Sequence, residues 1–478
     1  MNAPTPRPPT LWIDISDIVH YLRHHTRPSG IQRVAFEICR ALLRVDNGAG
    51  RIRFTMRDGG PRDLVVMDWQ ELEGAFSRMS EAAAPKRLAT LRTRGNIQVP
   101  GTSGATVGMI LATGLTLQGR ALLQLAKLPL ALGAVAAAAI RRDMERRRVK
   151  AARAAARAGI ENIATASAGE PFESVAQAGD WLLVLGSPWF HPDYVKTARW
   201  ARDELRLRFA ILMHDLIPIR RPEWCDRAMI TAFSDWHRAV LPIADQIFAN
   251  SRFTANDVTQ WLAASGSTPR NTARPIPMGT GLPIGVDPAS APHLPPAGTY
   301  VLFVSTIEAR KNHTLLFRVW RRLLSDLPRD QVPTLVFAGN IGWLVADLIQ
   351  QLHNAAFLDG KIVIVQQPSD AELIQLYRGC RFTVFPSYYE GWGLPVSESL
   401  AMGQPCIASN TTALPESGGA MTRYFDPDKF DEAYAAIRAV IEDPADLEAW
   451  RAQVRRDFRP VTWDDSATVI RETIDALG

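Results

Sequence analysis

The sequence predicts an α/β protein built from two Rossmann-like domains that face each other across a cleft, with an inserted helical segment in the first. Short apolar runs alternate with stretches of helical periodicity in two separate series, the pattern of largely parallel sheets covered by helices. A stretch rich in proline and glycine, residues 279–298, lies between the two series and reads as an interdomain linker. The length of 478 residues is enough for two or three domains, each with its own core. The expected boundaries are an N-terminal domain over residues 1–285, a C-terminal domain over 286–460, and a final helix over 461–478 that returns to the first domain.

The first series opens with a strand at residues 11–15. A turn, Arg27-Pro28-Ser29-Gly30, precedes a helix whose apolar residues Ile31, Val34, Ala35 and Ile38 fall on one face. Further strands are expected at 52–56, 64–67, 181–185, 209–213 and 247–249, forming a parallel sheet. The second series has strands at 300–304, 334–338, 361–365, 382–385 and 406–408, with helices over 315–324 and 395–402.

Residues 80–170 break this rhythm. The apolar runs at 106–119 and 128–140 are shorter than the roughly 20 residues of a membrane-spanning helix, and Arg120, Lys127 and Pro129 interrupt them if they are joined. Residues 141–157 follow with eight Arg or Lys against two acids. Apolar segments beside an arginine-rich helix suit the surface of an anionic membrane; a helical hairpin packed on the first domain with a solvated basic face fits equally well.

The net charge of +5 resides in that one segment, so general nucleic-acid affinity is not implied. The apolar fraction of 47% and charged fraction of 22% are those of a soluble globular protein. Cys39, Cys225, Cys380 and Cys406 are scattered, with neither metal-ligand spacing nor a disulfide framework. The first ten residues lack the apolar core of a signal peptide. The expected location is therefore cytoplasmic, with peripheral contact at the inner face of a membrane.

The chemistry concentrates at strand ends of the second series. Tyr389-Glu390-Gly391-Trp392-Gly393-Leu394-Pro395, followed by Glu398, runs from a buried strand through a glycine-rich turn into a helix. Glycines let backbone approach a ligand closely, and ligands of open α/β sheets bind outside the carboxyl ends of strands. Ser305-Thr306-Ile307-Glu308-Ala309-Arg310-Lys311-Asn312 places two adjacent cations where the first strand gives way to a helix, a position suited to phosphate. Ala338-Gly339-Asn340 ends the next strand. Gln366 and Gln367 end the third, where they could read a nucleobase, while Ser369 or Asp370 caps the following helix. In the first series, Met213-His214-Asp215-Leu216 closes a strand, where a histidine points toward the cleft or serves a structural role. No Asp-x-Asp pair sits at a strand end, so no metal is expected.

These motifs resemble those of the family 4 retaining glycosyltransferases, which adopt the two-domain GT-B fold. The family hallmark, two Glu residues with seven residues between them, matches Glu390 and Glu398. Gly30-Ile31-Gln32-Arg33-Val34 looks like the N-terminal glycine loop. His214-Asp215-Leu216, Asn250-Ser251-Arg252-Phe253-Thr254 and Leu414-Pro415-Glu416 are similar to other landmarks. The arginine stands next to Lys311 rather than five residues before it, as in a subset resembling bacterial mannosyl- and rhamnosyltransferases of polysaccharide assembly.

The resemblance implies a hexosyltransferase that uses a nucleotide-sugar donor, GDP-mannose as first choice, and a glycan or lipid-linked glycan acceptor, with no other cofactor. It implies that Arg310 and Lys311 bind the donor diphosphate, with Ser305 nearby. Glu398 would contact the ribose, Glu390 and the amides of Gly391, Trp392, Gly393 and Leu394 would hold the transferred sugar, His214 would lie beside it, and Gly30 would approach the phosphates. A sugar-nucleotide epimerase and an inactive scaffold of the same fold are the alternatives.

Overall fold

The computed structural model describes residues 7–24, 30–81, 169–191, 193–268, 270–282 and 291–477. Most of the 80–170 segment, including the basic stretch 141–157 expected to be helical, and most of the 27–30 turn therefore lie outside the described residues.

The central apolar runs form strands buried on both faces between layers of helix, whereas the edge run at 64–67 is only partly buried. The first sheet contains β1 (Leu11–Asp14), β2 (Ile52–Arg57), β3 (Leu64–Met67), β4 (Trp181–Val184), β5 (Arg208–Met213), β6 (Gln246–Ala249) and β7 (Arg274–Pro275), in the order β3-β2-β1-β4-β5-β6-β7. The second contains β8 (Tyr300–Val304), β9 (Thr334–Ala338), β10 (Ile362–Val365), β11 (Thr383–Phe385), β12 (Cys406–Ser409) and β13 (Thr422–Phe425), in the order β10-β9-β8-β11-β12-β13.

Both orders are the doubly wound 3-2-1-4-5-6 arrangement, extended by β7 in the first sheet. The order reverses between β1 and β4 and between β8 and β11. Helices leave the sheet in opposite directions at such a point and open a crevice.

The parallel first sheet expected from sequence holds except at one edge. β3 runs antiparallel to β2, with Phe54 opposite Met67 and Arg57 opposite Leu64. Only six residues separate the two strands, enough for a hairpin and too few for a parallel crossover. β7 and β13 have no counterpart in the expected strands.

The Gly30–Asp46 helix buries Val34, Ala35, Ile38, Cys39 and Leu42 on the first sheet. The last helix, Trp463–Leu477, packs against it, and Arg471 donates to Asp46 at 2.7 Å. The Trp463 indole donates to Thr280 O and Ser466 to Pro277 O, so the two crossings between the domains are bonded to each other. Among the described residues no helix is long and apolar enough to cross a membrane.

Candidate functional site

The loops after β8 and β11 meet at the switch point of the second sheet. After β8 the chain makes a 3-10 turn, Ala309–Lys311, and Asn312 then adopts a left-handed φ of 59° before the His313–Asp326 helix begins. The two cations thus stand on the turn ahead of the helix rather than in its first turn.

After β11, residues 387–393 cross the cleft and enter the Leu394–Ala401 helix through Gly393, whose φ of 99° suits glycine. Pro395 is tolerated there because the first helical amides have no intrahelical partner.

The two loops are joined by an ion triad. Lys311 Nζ lies 2.5 Å from Glu390 Oε1, and an Arg310 guanidinium nitrogen lies 2.9 Å from the same oxygen. Ser387 donates to that oxygen at 2.6 Å. Arg310 also pairs with Glu308 at 2.7 Å and donates to the Tyr389 carbonyl.

The whole group is buried. Desolvation opposes ionisation of Glu390, but Arg310 and Lys311 outweigh it and hold the carboxyl at about 2. Burial, with the charge of Arg310 beside it, lowers the Lys311 pKa. Two cations therefore share one carboxylate at the end of the sheet.

Glu398 lies one loop further on, in the Leu394–Ala401 helix, and does not join the triad. It accepts from the Tyr377 hydroxyl at 2.8 Å, and burial raises its pKa. Arg33, from the first domain, makes a bidentate pair with Asp370 at 2.8 and 2.9 Å and donates to Gly281 O at 2.8 Å. Its charge also acts on Glu398. The described flanks of the expected linker are thus packed rather than free. Ser369 caps the Asp370–Gly379 helix in a capping box with Glu372, as the sequence suggested.

The first domain closes over the glycine loop. A Cβ on Gly391 would stand 1.8 Å from His214 O, which is why only glycine fits there. Thr254 donates to Gly391 O at 3.3 Å, and Tyr389 donates to Asp257 at 2.6 Å. Glu416 reaches across to accept the amides of Arg252 and Phe253, at 2.8 and 2.7 Å, at the start of the Arg252–Ala264 helix. Trp392 and Leu394 pack on the core of the first domain. Beside the loop, Asn250 Oδ1 and Trp392 Nε1 are buried without a hydrogen-bond partner among the described residues.

A cavity of about 190 Å3 adjoins the triad. His214, Asp215 and Arg310 line its polar end, and Trp189, Trp224, Phe233 and Trp343 are prominent on its apolar walls. His214 donates Nε2–H to Leu185 O at 2.7 Å, and burial drops its pKa to about 4. It is therefore neutral at physiological pH, with Nδ1 left as an acceptor. Asp215 accepts the Ile217 amide at 2.9 Å, and burial raises its pKa against the pull of Arg310 and Lys311.

The structure thus brings Arg310, Lys311, Glu390, Gly391 and His214 together, with Trp392, Gly393 and Leu394 continuing the loop. Ser305 contacts His313 at 3.3 Å beneath the turn. Gly30 is exposed, with nothing within 4 Å of where a Cβ would stand, while its neighbour Ile31 lines the cavity. Sequence reasoning gave no individual role to Arg33, Asp215, Asn250, Asp257 or Glu416. The partners of Arg33, Asp257 and Glu416 are distant in sequence, and no local pattern pairs residue 416 with residue 252.

Two doubly wound domains closed on one another, with an anion-ready cation pair at a switch point, define the GT-B arrangement. Residues 291–457 match the model of the family described as Glycosyl transferases group 1, so the resemblance read from Glu390 to Glu398 holds for the C-terminal domain. The chain is similar to the serotype-specific mannosyltransferase WbdA of Escherichia coli, 27% identical over 279 residues, which are 56% of this chain and 33% of that protein. It is similar to O-antigen chain mannosyltransferase B of Escherichia coli, 33% identical over 177 residues, covering 37% and 45% of the two chains. It is also similar to D-inositol 3-phosphate glycosyltransferase 1 of Catenulispora acidiphila, 31% identical over 241 residues, covering 48% and 56%. The chain therefore spans between a third and just over half the length of these relatives. Among solved structures, HepE of Anabaena, in complex with UDP and glucose, aligns with a TM-score of 0.42 and 17% identity over 62% of this chain and 76% of that one.

Proposed function

We propose that the chain is a retaining, metal-independent hexosyltransferase that moves a hexose, with mannose from GDP-mannose as first choice, onto a glycan or lipid-linked glycan. The observation that carries this reading is the meeting of Arg310, Lys311 and Glu390 at a switch point, facing His214 and Asp215 of the other domain. The names of the two mannosyltransferase relatives support the choice of sugar.

In this reading the bond between the anomeric carbon and the diphosphate oxygen breaks, and its electron pair leaves with the phosphate. Charge grows on that oxygen in the transition state, where Arg310 and Lys311 are already fixed in a buried site. The acceptor hydroxyl attacks from the same face as the leaving group, so configuration is retained, and its proton passes to the departing phosphate.

Glu390 exchanges its cations for hydroxyls of the donor sugar and holds the ring without acting as nucleophile. The backbone amides of the glycine loop assist it. Glu398 holds the ribose. His214, being neutral, accepts a hydrogen bond and does not supply a proton. The reaction is placed at the cytoplasmic face of a membrane.

The test is a screen of nucleotide-sugar donors by radiolabel or mass spectrometry, with Lys311→Ala as control. Wild type should consume one donor at least a hundredfold faster than the variant. Equal turnover of every donor by both proteins refutes the proposal. Sugar interconversion without acceptor identifies an epimerase instead.

A further inference from the structure

A buried acid that the transfer mechanism does not use stands beneath the first domain's side of the site. The first sheet has its own switch point, between β1 and β4, and two carboxylates lie there. Asp14 ends β1, and Asp17 belongs to the first turn of the Ser16–His24 helix that follows. Both are buried.

The two acids are provided for unequally. Asp14 accepts from the Ser16 amide at 2.8 Å, the Ser16 hydroxyl at 2.5 Å and the Tyr194 hydroxyl at 2.5 Å. Arg57, paired with Asp193 at 2.8 Å, adds its charge to that side. Asp17 accepts the Ser187 amide at 2.8 Å. The titratable groups that face it from neighbouring elements are Asp14 on β1, Cys39 on the Gly30–Asp46 helix and Tyr194 on the Tyr194–Arg199 helix, and none of these is a cation. Two carboxylates in one buried site resist ionising together, so Asp14 carries the charge and Asp17 the proton. Burial, with the charge of Asp14, raises the Asp17 pKa to about 7.

Asp17 supports the loop that follows β4. Its carboxyl occupies the place a Cβ on Gly186 would take, so only glycine fits there. The loop reaches the site in three ways. Leu185 O accepts His214 Nε2–H at 2.7 Å and so fixes the tautomer of that ring. Gly186 lines the same cavity as His214 and Arg310. Ser187 Oγ accepts from Gln32 at 3.1 Å, in the first turn of the Gly30–Asp46 helix and next to Arg33.

Ionising Asp17 would set a second negative charge beside Asp14 in a dry site. Relief requires water at the carboxylate, and water enters only if Gly186 moves away. The same movement draws Leu185 O from His214 and Ser187 from Gln32.

We propose that Asp17 is a positioning residue that works as a proton switch: protonated, it seats the Leu185–Ser187 loop and with it His214 and Gln32, and on giving its proton to solvent it releases them. Only the effect on rate rests on the transferase reading; the movement of the loop does not. Transfer should therefore decline as pH rises through neutrality. His20, on the same helix, meets His191 edge-on at 5.6 Å, and burial and Arg57 push the His191 pKa below 6.5, so His191 titrates on the acid side.

The experiment uses the full chain labelled with 15N-histidine, whose long-range 15N–1H correlations read imidazole tautomers. The His214 signal is assigned by its loss in His214→Gln. At pH 6 it should show the Nε2–H form in wild type and in Asp17→Asn, whose carboxamide keeps the shape of the protonated acid. At pH 8.5 wild type should show a mixture of tautomers, and Asp17→Asn should keep the Nε2–H form. With the donor found in the screen, kcat of wild type should fall about tenfold between these pH values, and that of Asp17→Asn less than twofold. His20→Gln, a control for the neighbouring imidazoles, should retain the alkaline loss.

A wild-type His214 tautomer that does not change between pH 6 and 8.5 overturns the inference. So does an Asp17→Asn rate that falls in parallel with wild type, or an alkaline loss that disappears in His20→Gln. None of these results touches donor turnover at pH 6, so the transferase reading stands. Absence of Lys311-dependent turnover overturns that reading and leaves the tautomer change to be judged by itself.

Discussion

Glu390→Gln tests the ion triad directly, because it keeps the shape of the side chain and removes its charge. The Glu390 carboxyl has a pKa of about 2 in the folded protein against 4.5 unperturbed. At about 1.4 kcal/mol per pKa unit, that difference corresponds to roughly 3 kcal/mol. Breaking a buried pair by removing one partner costs about 3–5 kcal/mol, a consistent figure. Because the folded pKa is the lower one, this stability is complete above the unfolded value of 4.5 and is lost as pH falls toward 2. At neutral pH the variant should lose all of it. For a domain of this size the melting temperature should drop by roughly 6–12 °C.

The same change should have the opposite effect on nucleotide binding. On the proposed reading, a diphosphate must displace the Glu390 carboxylate, which pairs with Lys311 and Arg310. In the variant Lys311 loses its carboxylate partner and Arg310 keeps only Glu308, so both cations have more charge to offer phosphate oxygens. Titration calorimetry with GDP and UDP should show the preferred nucleotide binding about tenfold tighter, while transfer falls at least a hundredfold. Nucleotide at a hundredfold excess over its Kd stabilises by about 2.7 kcal/mol, so it should restore most of the lost melting temperature. A variant that melts with wild type, or binds nucleotide more weakly, refutes the view that this carboxylate occupies the phosphate site.

Three further perturbations test the surrounding structure. Gly391→Ala places a methyl group 1.8 Å from His214 O; it should hold the domains apart and cut transfer at least a hundredfold, and small-angle scattering showing an unchanged radius would contradict this. A double-mutant cycle on Arg33→Ala and Asp370→Ala should give a coupling of about 1–3 kcal/mol in thermal unfolding, since the pair is bidentate and partly buried; additive effects would show that it does not hold the domains. Asp17 is buried, which raises its pKa from 3.8 to about 7. A raised folded pKa means that stability is greatest below the unfolded value and declines as pH climbs through the folded one, by up to about 4 kcal/mol. Asp17→Asn should therefore melt above wild type at pH 8 and lose the difference at pH 4; identical pH profiles would exclude Asp17 as the source.

All the strands except β7 and β13 were legible because they are short, apolar and flanked by turn residues. The cation pair and the glycine loop were legible because each lies at the end of such a strand. The reversal of β3 was not, because an edge strand of four residues has the same composition in either direction. The domain contacts were hidden for a different reason. Glu416 caps a helix 164 residues earlier in the chain, and Tyr389 meets Asp257 across 132, so only the docking of two finished domains brings these partners together. Asp215 was visible as a motif member, but its cavity is formed by residues of both domains and has no one-dimensional signature.

The domain contacts and the chemical groups share one segment, and this constrains how the site can open. Residues 387–393 carry Glu390 on the triad, Tyr389 on Asp257, Gly391 on His214 O and Trp392 on the core of the first domain. A donor that draws Glu390 away from Lys311 must move the loop whose other side chains hold the first domain closed. The crossings at Thr280 and Trp463 are bonded to each other and can persist while the contacts of Tyr389, Glu416 and Arg33 part. Donor entry and domain opening are therefore expected to be coupled through this loop. Weakening a closure contact that touches no ligand, such as Glu416→Gln, should then speed nucleotide exchange in stopped-flow measurements. An unchanged exchange rate would mean that the phosphate site fills without parting the domains.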